Sequence, residues 1–364
     1  GAHHAKIRLL RIFAKSRQKN MGFAEKFIIQ ASAALSRCDD VLIAKAGKTN
    51  PWFCPAFVQH RLNTLKQSLK QERHLLPELL NFHVPSSAPR WITLVAAGNI
   101  PLVCWHDFVC AMAYAGAHPE EVTVEIKLSS KDDVLLPAIV DRLYRMKDSC
   151  LEGIRVRFVS CADPGTRAIL FTGGSRAEAY YRQSFPGIPL LIRTGRSSVA
   201  LLDGSESDSQ LEGLALDCFL YFGLGCRNVS LILVPPEYDF GPFVQKVREV
   251  MGPVLKEHNN YVNALRHARA CSLMSKEPAA MQKDYCEDLF VLEESDDMNP
   301  PMAILNYKKY MKQEEVSRFL DINRNLIQCV AGTADLPFGK TQFPAFTDYA
   351  DGLNTLEWLR KLSY

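Results

Sequence analysis

The sequence lacks several features that would assign it to a special class of protein. It has no apolar run of about 18 residues, the shortest stretch typical of a membrane-spanning helix. It has no large excess of one charge, because the formal net charge is +3, and this argues against a dedicated nucleic-acid binder. No internal repeat or low-complexity tract occurs. With 47% hydrophobic residues over 364 positions, the composition is that of a globular chain of about two or three domains.

The 11 cysteines form no CxxC pair and no framework of the kind that disulfides hold in small domains. Most lie in apolar surroundings, as Cys104 and Cys110 do in "PLVCWHDFVC", which is typical of free thiols in a reducing compartment. The basic N-terminal stretch has no uninterrupted apolar core such as a signal peptide needs. Over residues 5–19 a first helix packed on the domain is favoured over an interfacial helix. We therefore expect a cytoplasmic protein with no integral membrane segment and no nucleic-acid partner.

Strands and helices alternate along most of the chain. Over residues 5–80 apolar positions recur at three- and four-residue steps, which predicts helices. Buried strands then alternate with helices of about 10–15 residues, as in "WITLVAAGN" followed by "PLVCWHDFVCAMAYAG", and this predicts parallel βαβ units. A second α/β stretch runs from "NVSLILVP" through a helix over 240–259 to "MAILNYKKY" and a helix near 312–323.

Several short motifs resemble nucleotide-binding or catalytic signatures but fail on their context. "GLGCRN" begins like the dinucleotide-binding G-x-G-x-x-G motif, yet it lacks the third glycine and follows a predicted helix rather than a strand. "AGKT" and "FGKT" end like phosphate-binding P-loops without the required first glycine. No G-x-S-x-G motif, H-E-x-x-H motif or metal-ligand spacing is present, so we expect no metal site. His106 and Asp107 lie on an apolar helix and are interpreted as a satisfied core pair.

Cys226 differs from the other cysteines because it lies on a glycine-flanked turn between a helix and a strand, in "FGLGCRNVSLILV". A packing cysteine usually lies inside an element, as Cys218 does, whereas a turn can direct a side chain into a cleft. The turn follows a helix C-terminus, so the helix dipole would not lower the pKa of the thiol. Activation would require Arg227, a bound cofactor or a base elsewhere. The residues alone leave a nucleophile and a packing cysteine equally open.

Three further segments place polar residues at strand ends, and each has a purely structural alternative. Asn99 follows a buried strand in "AAGNIPLV", where it can donate a hydrogen bond into a cleft or cap the next helix. Lys127 ends the strand of "EIKLSS", either as a ligand contact or as a solvated lysine. The segment 172–175, "TGGS", joins a strand to a helix N-terminus, which suits a phosphate or ribose as well as a plain turn.

Taken in order, these segments resemble one family. The carriers of the resemblance are "AAGNIPLV", "IKLSSKD", "FTGGS", "IRTGRSSVALL", "FLYFGLGCRNVSLILVP" and "FPAFTDYADGLNTLEWL", and the family is the acyl-CoA reductase (LuxC-like) branch of the aldehyde dehydrogenase superfamily. The resemblance covers residues 45–364 and implies an α/β, aldehyde dehydrogenase-like fold with two parallel-sheet lobes. The implied domains are a helical N-terminal segment (1–82), a cofactor-binding lobe (90–205), a catalytic lobe (206–325) and a C-terminal segment (326–364) that returns to the cofactor lobe or makes an oligomer contact.

The resemblance also implies roles for single residues. Cys226 would be the acyl-accepting nucleophile, and Asn99 would supply one oxyanion donor beside the backbone N–H of Cys226. Glu287, in "CEDLF", would match the acid that grips the nicotinamide ribose. The residues expected to bind NADPH, or NADH in its place, are Lys127 and Ser129 for the adenosine ribose and its phosphate, and Thr172, Gly173, Gly174 and Ser175 for the cofactor-facing turn.

One departure from the superfamily pattern indicates the reaction. Hydrolytic members carry a water-activating glutamate before the cysteine, whereas no acidic residue lies between Leu190 and Ser198. We therefore predict reduction of a fatty acyl thioester, on CoA or an acyl carrier, to its aldehyde with NAD(P)H through an acyl-cysteine. The alternatives are a cysteine acyltransferase or thioesterase and a non-catalytic acyl-binding subunit. Superfamily members usually oligomerise, so a homodimer is expected by analogy, with the tail after Asp348 as the candidate contact.

Overall fold

The computed structural model describes residues 21–81, 83, 86–118, 120–275, 286 and 288–362. The helix predicted over residues 5–19 and the side chain of Glu287 lie outside these residues. The described chain divides into two units. The first runs up to Asn50, from Val58 to Arg193 and from Ala345 onward, and the second comprises Pro51–Phe57 and Thr194–Pro344. The assignment of cofactor-binding and catalytic roles to lobes of the chain stays a prediction.

Helices precede the first strand, as the periodicity predicts. They are α1 (Phe23–Ser36), α2 (Asp40–Thr49), α3 (Pro55–Gln71) and α4 (Leu76–Leu80). The carboxylate of Asp39 caps α2 by accepting a hydrogen bond from the backbone N–H of Leu42 at 2.9 Å. Helix α1 is amphipathic, and the face that carries Phe27 and Ala31 is fully buried.

The first unit is built around a five-stranded parallel sheet. Its elements are β1 (Trp91–Val95), α5 (Trp105–Gly116), β2 (Thr123–Lys127), α6 (Leu135–Tyr144), β3 (Arg155–Phe158), β4 (Ala168–Thr172), α7 (Ser175–Ser184) and β5 (Leu190–Arg193). The strand order is β3-β2-β1-β4-β5. Val95, the last residue of β1, pairs with Lys127 of β2 and with Phe171 of β4, so these three strands end together. The segments after them therefore lie at one edge of the sheet.

The second unit contains another five-stranded parallel sheet, in the order β10-β6-β7-β9-β8. Its elements are β6 (Ser197–Leu201), α8 (Asp208–Phe219), β7 (Val229–Val234), α9 (Gly241–Val250), α10 (Gly252–Glu257), α11 (Asn259–Ser275), β8 (Val291–Glu294), β9 (Ile304–Lys309), α12 (Gln313–Ile322) and β10 (Ile327–Ala331). A last helix, α13 (Thr355–Lys361), belongs to the first unit. The predicted α/β class with parallel sheets is confirmed. No helix in the described part of the chain is long and apolar enough to cross a membrane.

Two predicted helices differ from those observed. The helix predicted over 240–259 is broken into α9 and α10, because Pro253 in the first turn of α10 has no N–H with which to continue the preceding helix. Apolar periodicity predicts that the helix before "GLGC" continues through "FLYFG", but this helix ends at Phe219. Beyond it, Tyr221 and Phe222 adopt left-handed φ angles of 54° and 56°, which no right-handed helix accommodates.

A buried ion pair joins the C-terminal segment to the first sheet. Arg193, at the end of β5, donates to the carboxylate of Asp107 on α5 and to the hydroxyl of Thr355 at the start of α13, both at 2.5 Å. Both charged side chains are less than a tenth exposed. Burial alone would raise the pKa of Asp107, but the charges of Arg193 and His106 outweigh it and hold that pKa at about 2. The core pair inferred from sequence thus includes a third member, Arg193, 86 residues away from Asp107.

Replacing Arg193 with Leu is expected to destabilise the protein strongly, because Asp107 would be left as a buried charge without its guanidinium. Breaking one partner of a buried pair typically costs about 3–5 kcal/mol, and urea unfolding at pH 7 measures the loss. Arg182→Ala, in an exposed pair with Glu178 on α7, is the matched control and should cost less than about 1 kcal/mol. Equal effects of the two substitutions would contradict a structural role for the buried pair.

Candidate active site

Cys226 lies on an exposed turn between α8 and β7 in the second unit. The neighbouring cysteine on α8, Cys218, is buried, and its burial raises the pKa of its thiol well above the ordinary value. Exposure of the Cys226 side chain is not what a packing cysteine would show. The turn therefore leaves Cys226 exposed, while neighbouring residues are held by buried side chains.

The side chain of Asn228 fixes this turn. It is 2% exposed, and its Oδ1 accepts the backbone N–H of Gly225 at 2.9 Å. Its Nδ2 donates to the carbonyl of Asp217 at 3.1 Å and to that of Leu220 at 2.9 Å. One carboxamide thus joins the residue before Cys226 to the last turn of α8. Sequence reasoning missed Asn228, although asparagine is a common turn residue.

The left-handed segment between α8 and the Cys226 turn is held by aromatic packing. Phe222 and Tyr221 are buried, and both contact the ring of Phe57 with centroid separations of 4.8 and 5.7 Å. The rings of Trp52 and His258 also lie against Phe222, at 5.4 and 4.3 Å. Left-handed backbone costs a non-glycine residue about 1–2 kcal/mol, and such strain persists where the surroundings over-determine it.

Asp217 binds a second loop to the same end of α8. Its carboxylate accepts the backbone N–H groups of Gly339 at 2.7 Å and Thr341 at 3.1 Å, and the Thr341 hydroxyl at 2.8 Å. Arg227, the residue after Cys226, donates from Nε to the carbonyl of Thr341. Burial raises the pKa of Asp217 to about 6, against the opposing effect of its hydrogen bonds and of Arg227. Arg227 is thus engaged in holding the 339–341 loop.

The carbonyl of Cys226 is bound by Ser198 on β6. The Ser198 hydroxyl donates to this carbonyl at 2.9 Å, and the sulfur of Cys329 on β10 lies 3.0 Å from the same hydroxyl. Ser198 is fully buried. The Cys226 turn is therefore fastened on its strand side by Ser198 and on its helix side by Asn228, which leaves the thiol on a rigid support.

In the first unit, the predicted cofactor segments meet at the carboxyl edge of the sheet. The chain leaves β1 toward β2 on one side and returns to β4 on the other, so the strand order reverses between β1 and β4. In open parallel sheets, ligands bind outside the strand ends at such a point. Asn99 follows β1, Lys127 and Ser129 lie at the end of β2, and the 172–175 segment follows β4. The fold brings these three segments to one edge.

Close packing explains the glycine in "AAGN". A Cβ added to Gly98 would lie 2.7 Å from the hydroxyl of Ser129, so only glycine lets the two segments approach. The carbonyl of Gly98 also accepts a hydrogen bond from the carboxamide of Asn50 at 3.2 Å. The Ser129 hydroxyl accepts the N–H of Lys131 at 3.2 Å. Ser129 therefore has a structural contact besides any contact with a ligand.

The start of α7 suits an anionic ligand. Gly174 occupies the N-cap position, and no side chain caps the first turn of this helix. A Cβ at Gly174 would meet nothing within 4 Å, and residues Gly174 and Ser175 are exposed. The backbone N–H groups of an uncapped first turn, together with the helix dipole, favour a phosphate group. Among the described residues, no group of three His, Cys, Asp or Glu side chains could hold a metal ion.

No protein-family model and no curated protein matches the chain. Among solved structures, it is similar to aldehyde dehydrogenase C of Pseudomonas syringae, a cysteine-to-alanine mutant in complex with NAD+ and octanal, with a TM-score of 0.57, 15% identity, and 84% of this chain and 76% of that chain covered. It is also similar to aldehyde dehydrogenase 21 of Physcomitrella patens in complex with succinate, with a TM-score of 0.55, 14% identity, and coverage of 92% and 80%. The chain therefore has an aldehyde dehydrogenase-like fold.

Asn228→Ala is expected to destabilise the protein and loosen the Cys226 turn, because the backbone N–H of Gly225 and two buried carbonyls lose a hydrogen bond. One unsatisfied buried group costs about 1–3 kcal/mol, so we expect a loss in that range or above it in urea unfolding. Asn323→Ala, which removes one hydrogen bond to the carbonyl of Phe319 at the end of α12, should cost less than about 1 kcal/mol. A fully stable Asn228→Ala protein would show that the carboxamide does not hold the turn.

Proposed function

We propose that the protein reduces an acyl thioester, on CoA or an acyl carrier, to an aldehyde through a covalent acyl group on Cys226. The observation that carries this proposal is the exposure of Cys226 on a turn that Asn228 and Ser198 hold by hydrogen bonds. Rigid support of one reactive side chain on an exposed turn is what nucleophilic catalysis requires. The aldehyde dehydrogenase-like fold and the resemblance of "FLYFGLGCRNVSLILVP" to acyl-CoA reductases agree with it.

The first step exchanges one thioester for another. The Cys226 thiolate attacks the acyl carbon, the bond from that carbon to the donor sulfur breaks, and the donor leaves as a thiolate. Because a thioester is both broken and formed, this step is close to isoenergetic. We propose that the Asn99 carboxamide and the backbone N–H of Cys226 donate hydrogen bonds to the oxygen that becomes negatively charged.

The residues at the carboxyl edge of the first sheet fit a nicotinamide dinucleotide. The uncapped first turn of α7 would bind a phosphate of the cofactor. Thr172 and Gly173 would face the cofactor beside it, and Lys127 and Ser129 would contact the adenosine ribose. Bound NADPH or NADH would supply the hydride that reduces the acyl carbon. The sulfur of Cys226 then leaves, releasing the aldehyde and returning the thiolate.

The choice of reduction over hydrolysis depends on the segment that joins the two sheets. From Leu190 to Ser198 the sequence "LLIRTGRSS" contains no Asp or Glu. Its one strongly buried charge, Arg193, is paired with Asp107. A positioned general base is needed to activate water against a thioester, so an acyl group on Cys226 would meet no such base from this segment.

Purified protein mixed with a long-chain acyl-CoA and NADPH should oxidise the cofactor and form aldehyde and free CoA in equal amounts. Cys226→Ala should abolish this turnover while retaining cofactor binding by fluorescence titration, and Cys161→Ala, at another exposed cysteine, should leave it unchanged. Asn99→Ala should lower kcat about 10²–10³-fold through loss of one oxyanion donor. Release of CoA without cofactor oxidation would instead indicate a transferase or thioesterase, and binding without turnover a non-catalytic subunit.

Lys127 is expected to favour NADPH over NADH, because its ammonium group would pair with the 2′-phosphate that only NADPH carries. A hydrogen bond to a charged group contributes about 1.5–3 kcal/mol, so Lys127→Ala should raise the Kd for NADPH about 10–100-fold and leave that for NADH nearly constant. Lys131→Ala, at an exposed lysine on the same segment, is the control. Equal increases in the Kd values for NADPH and NADH would show that Lys127 does not pair with the 2′-phosphate.

A further inference from the structure

The Asn99 turn, residues Gly98–Leu102, is held at an unusual backbone conformation. Leu102 is fully buried and has a left-handed φ of 52°. A leucine in this region is strained by about 1–3 kcal/mol, and such strain is typically found beside functional sites. The conformation therefore needs compensating contacts. At the end of the turn, one side chain donates hydrogen bonds to backbone carbonyls, and another accepts a hydrogen bond from a backbone N–H.

Arg61 of α3 binds the carbonyl groups at this end. Its Nε donates to the carbonyl of Pro101 at 3.0 Å, and its Nη2 donates to the carbonyl of Leu102 at 3.2 Å. The amide of Leu102 points to a different side chain, the carboxylate of Asp132, whose Oδ2 accepts it at 2.7 Å. Leu102 is thus held by a cation at its carbonyl and by a carboxylate at its N–H.

Asp132 is poorly compensated for a buried carboxylate. It is 5% exposed, and its second oxygen, Oδ1, is buried without any hydrogen-bond partner. The backbone N–H of Asp132 donates to the carbonyl of Ser129, and its carboxylate accepts the N–H of Leu102, so Asp132 links the Ser129 segment to the Asn99 turn. An apolar side chain would avoid the desolvation of an unpaired oxygen, so packing alone does not account for a carboxyl group at this position.

The charged and titratable groups around Asp132 are few. Arg61 from α3 favours its ionised form, and Asp133 on its own segment opposes it. The charge of Asp132 in turn raises the pKa of the Cys104 thiol, beyond the turn. Burial is the largest effect and raises the pKa of Asp132 to about 7, while the hydrogen bond from Leu102 favours the carboxylate. The group therefore changes charge close to neutral pH.

We propose that Asp132 is a positioning residue whose ionised carboxylate holds the Leu102 amide and thereby sets the Asn99 carboxamide for the acyl oxygen. This inference rests on the proposed function only for its effect on turnover. Because the Leu102 hydrogen bond favours the carboxylate, linkage requires the carboxylate to hold that amide more tightly than the acid does. Protonation of Asp132 loosens the turn, and replacement by asparagine keeps an acceptor of the same shape but removes the titration.

The structural arm of the test needs no turnover. Amide hydrogen exchange of Leu102, corrected for intrinsic rates, should become about tenfold slower in the wild-type protein between pH 6 and pH 8, since a charged acceptor roughly doubles the strength of a hydrogen bond. In Asp132→Asn the protection should not change with pH. Asp133→Asn, at the exposed neighbouring carboxylate, should behave as wild type. Protection of Leu102 that is independent of pH in all three proteins would overturn the proposal.

The kinetic arm measures kcat with acyl-CoA and NADPH from pH 5.5 to 8.5. The wild-type protein and Asp133→Asn should lose activity below a midpoint near 7, and Asp132→Asn should lack this transition and have a kcat about tenfold lower at pH 8, with KM nearly unchanged. Because a raised pKa means that the carboxylate opposes folding as pH rises from about 4 through 7, Asp132→Asn should be at least as stable as wild type at pH 8. Failure of every protein to turn over would reject the proposed function, while the exchange arm would still decide the role of Asp132.

Discussion

The carboxamide of Asn228 is the contact on which the Cys226 turn depends. A catalytic thiol is positioned more accurately when its backbone is fixed, and the chain here runs through two left-handed residues, Tyr221 and Phe222, shortly before the turn. Their strain amounts to about 2–4 kcal/mol in total. Hydrogen bonds from Asn228 to the end of α8, each worth about 1 kcal/mol net, and the burial of two aromatic rings, each worth about 1.5–3 kcal/mol, offset it. The turn is stable because packing and hydrogen bonding act on the same short segment.

The sequence is sufficient to predict the fold class because the signal for it is local. Buried strands such as β1 and β4 are continuous apolar runs, and amphipathic helices follow them at the spacing that parallel sheets require. The same local logic locates Asn99, Lys127 and the 172–175 segment after strand ends. Once the strand order is known, those positions fall at one edge of one sheet. Three segments whose motifs are weak individually therefore form one group.

The groups that hold the site could not be read from the sequence, because each depends on partners far along the chain. Asp217 binds Thr341, 124 residues away, and Ser198 binds the carbonyl of Cys226, 28 residues away. Neither pairing leaves a periodic or motif-like trace. The end of α8 was mispredicted for a related reason. Apolar periodicity continues through "FLYFG", and only the tertiary packing of Phe222 against Phe57 and His258 shows that the backbone has turned left-handed.

Three buried aspartates show how the surroundings of a carboxylate distinguish a structural role from a tuned one. Asp107 touches a guanidinium, and its pKa falls to about 2 despite burial. Asp217 has three hydrogen bonds but no direct cation, and its pKa rises to about 6. Asp132 has a single hydrogen bond and an unpartnered oxygen, and its pKa rises to about 7. The order follows the compensation that each charge receives, because desolvation opposes ionisation in all three.

These differences in pKa correspond to different roles for the three carboxylates. Asp107 stays ionised at every physiological pH, and with Arg193 it connects α5 to β5, while Arg193 also binds the start of α13. A carboxylate near its midpoint changes charge when pH changes, so whatever it binds is held with variable strength. Asp132 binds the turn that carries Asn99, and Asp217 binds the loop that Arg227 also contacts. Each of these two incompletely compensated carboxylates is thus bound to a segment linked to one of the two residues, Asn99 and Cys226, on which the proposed chemistry depends.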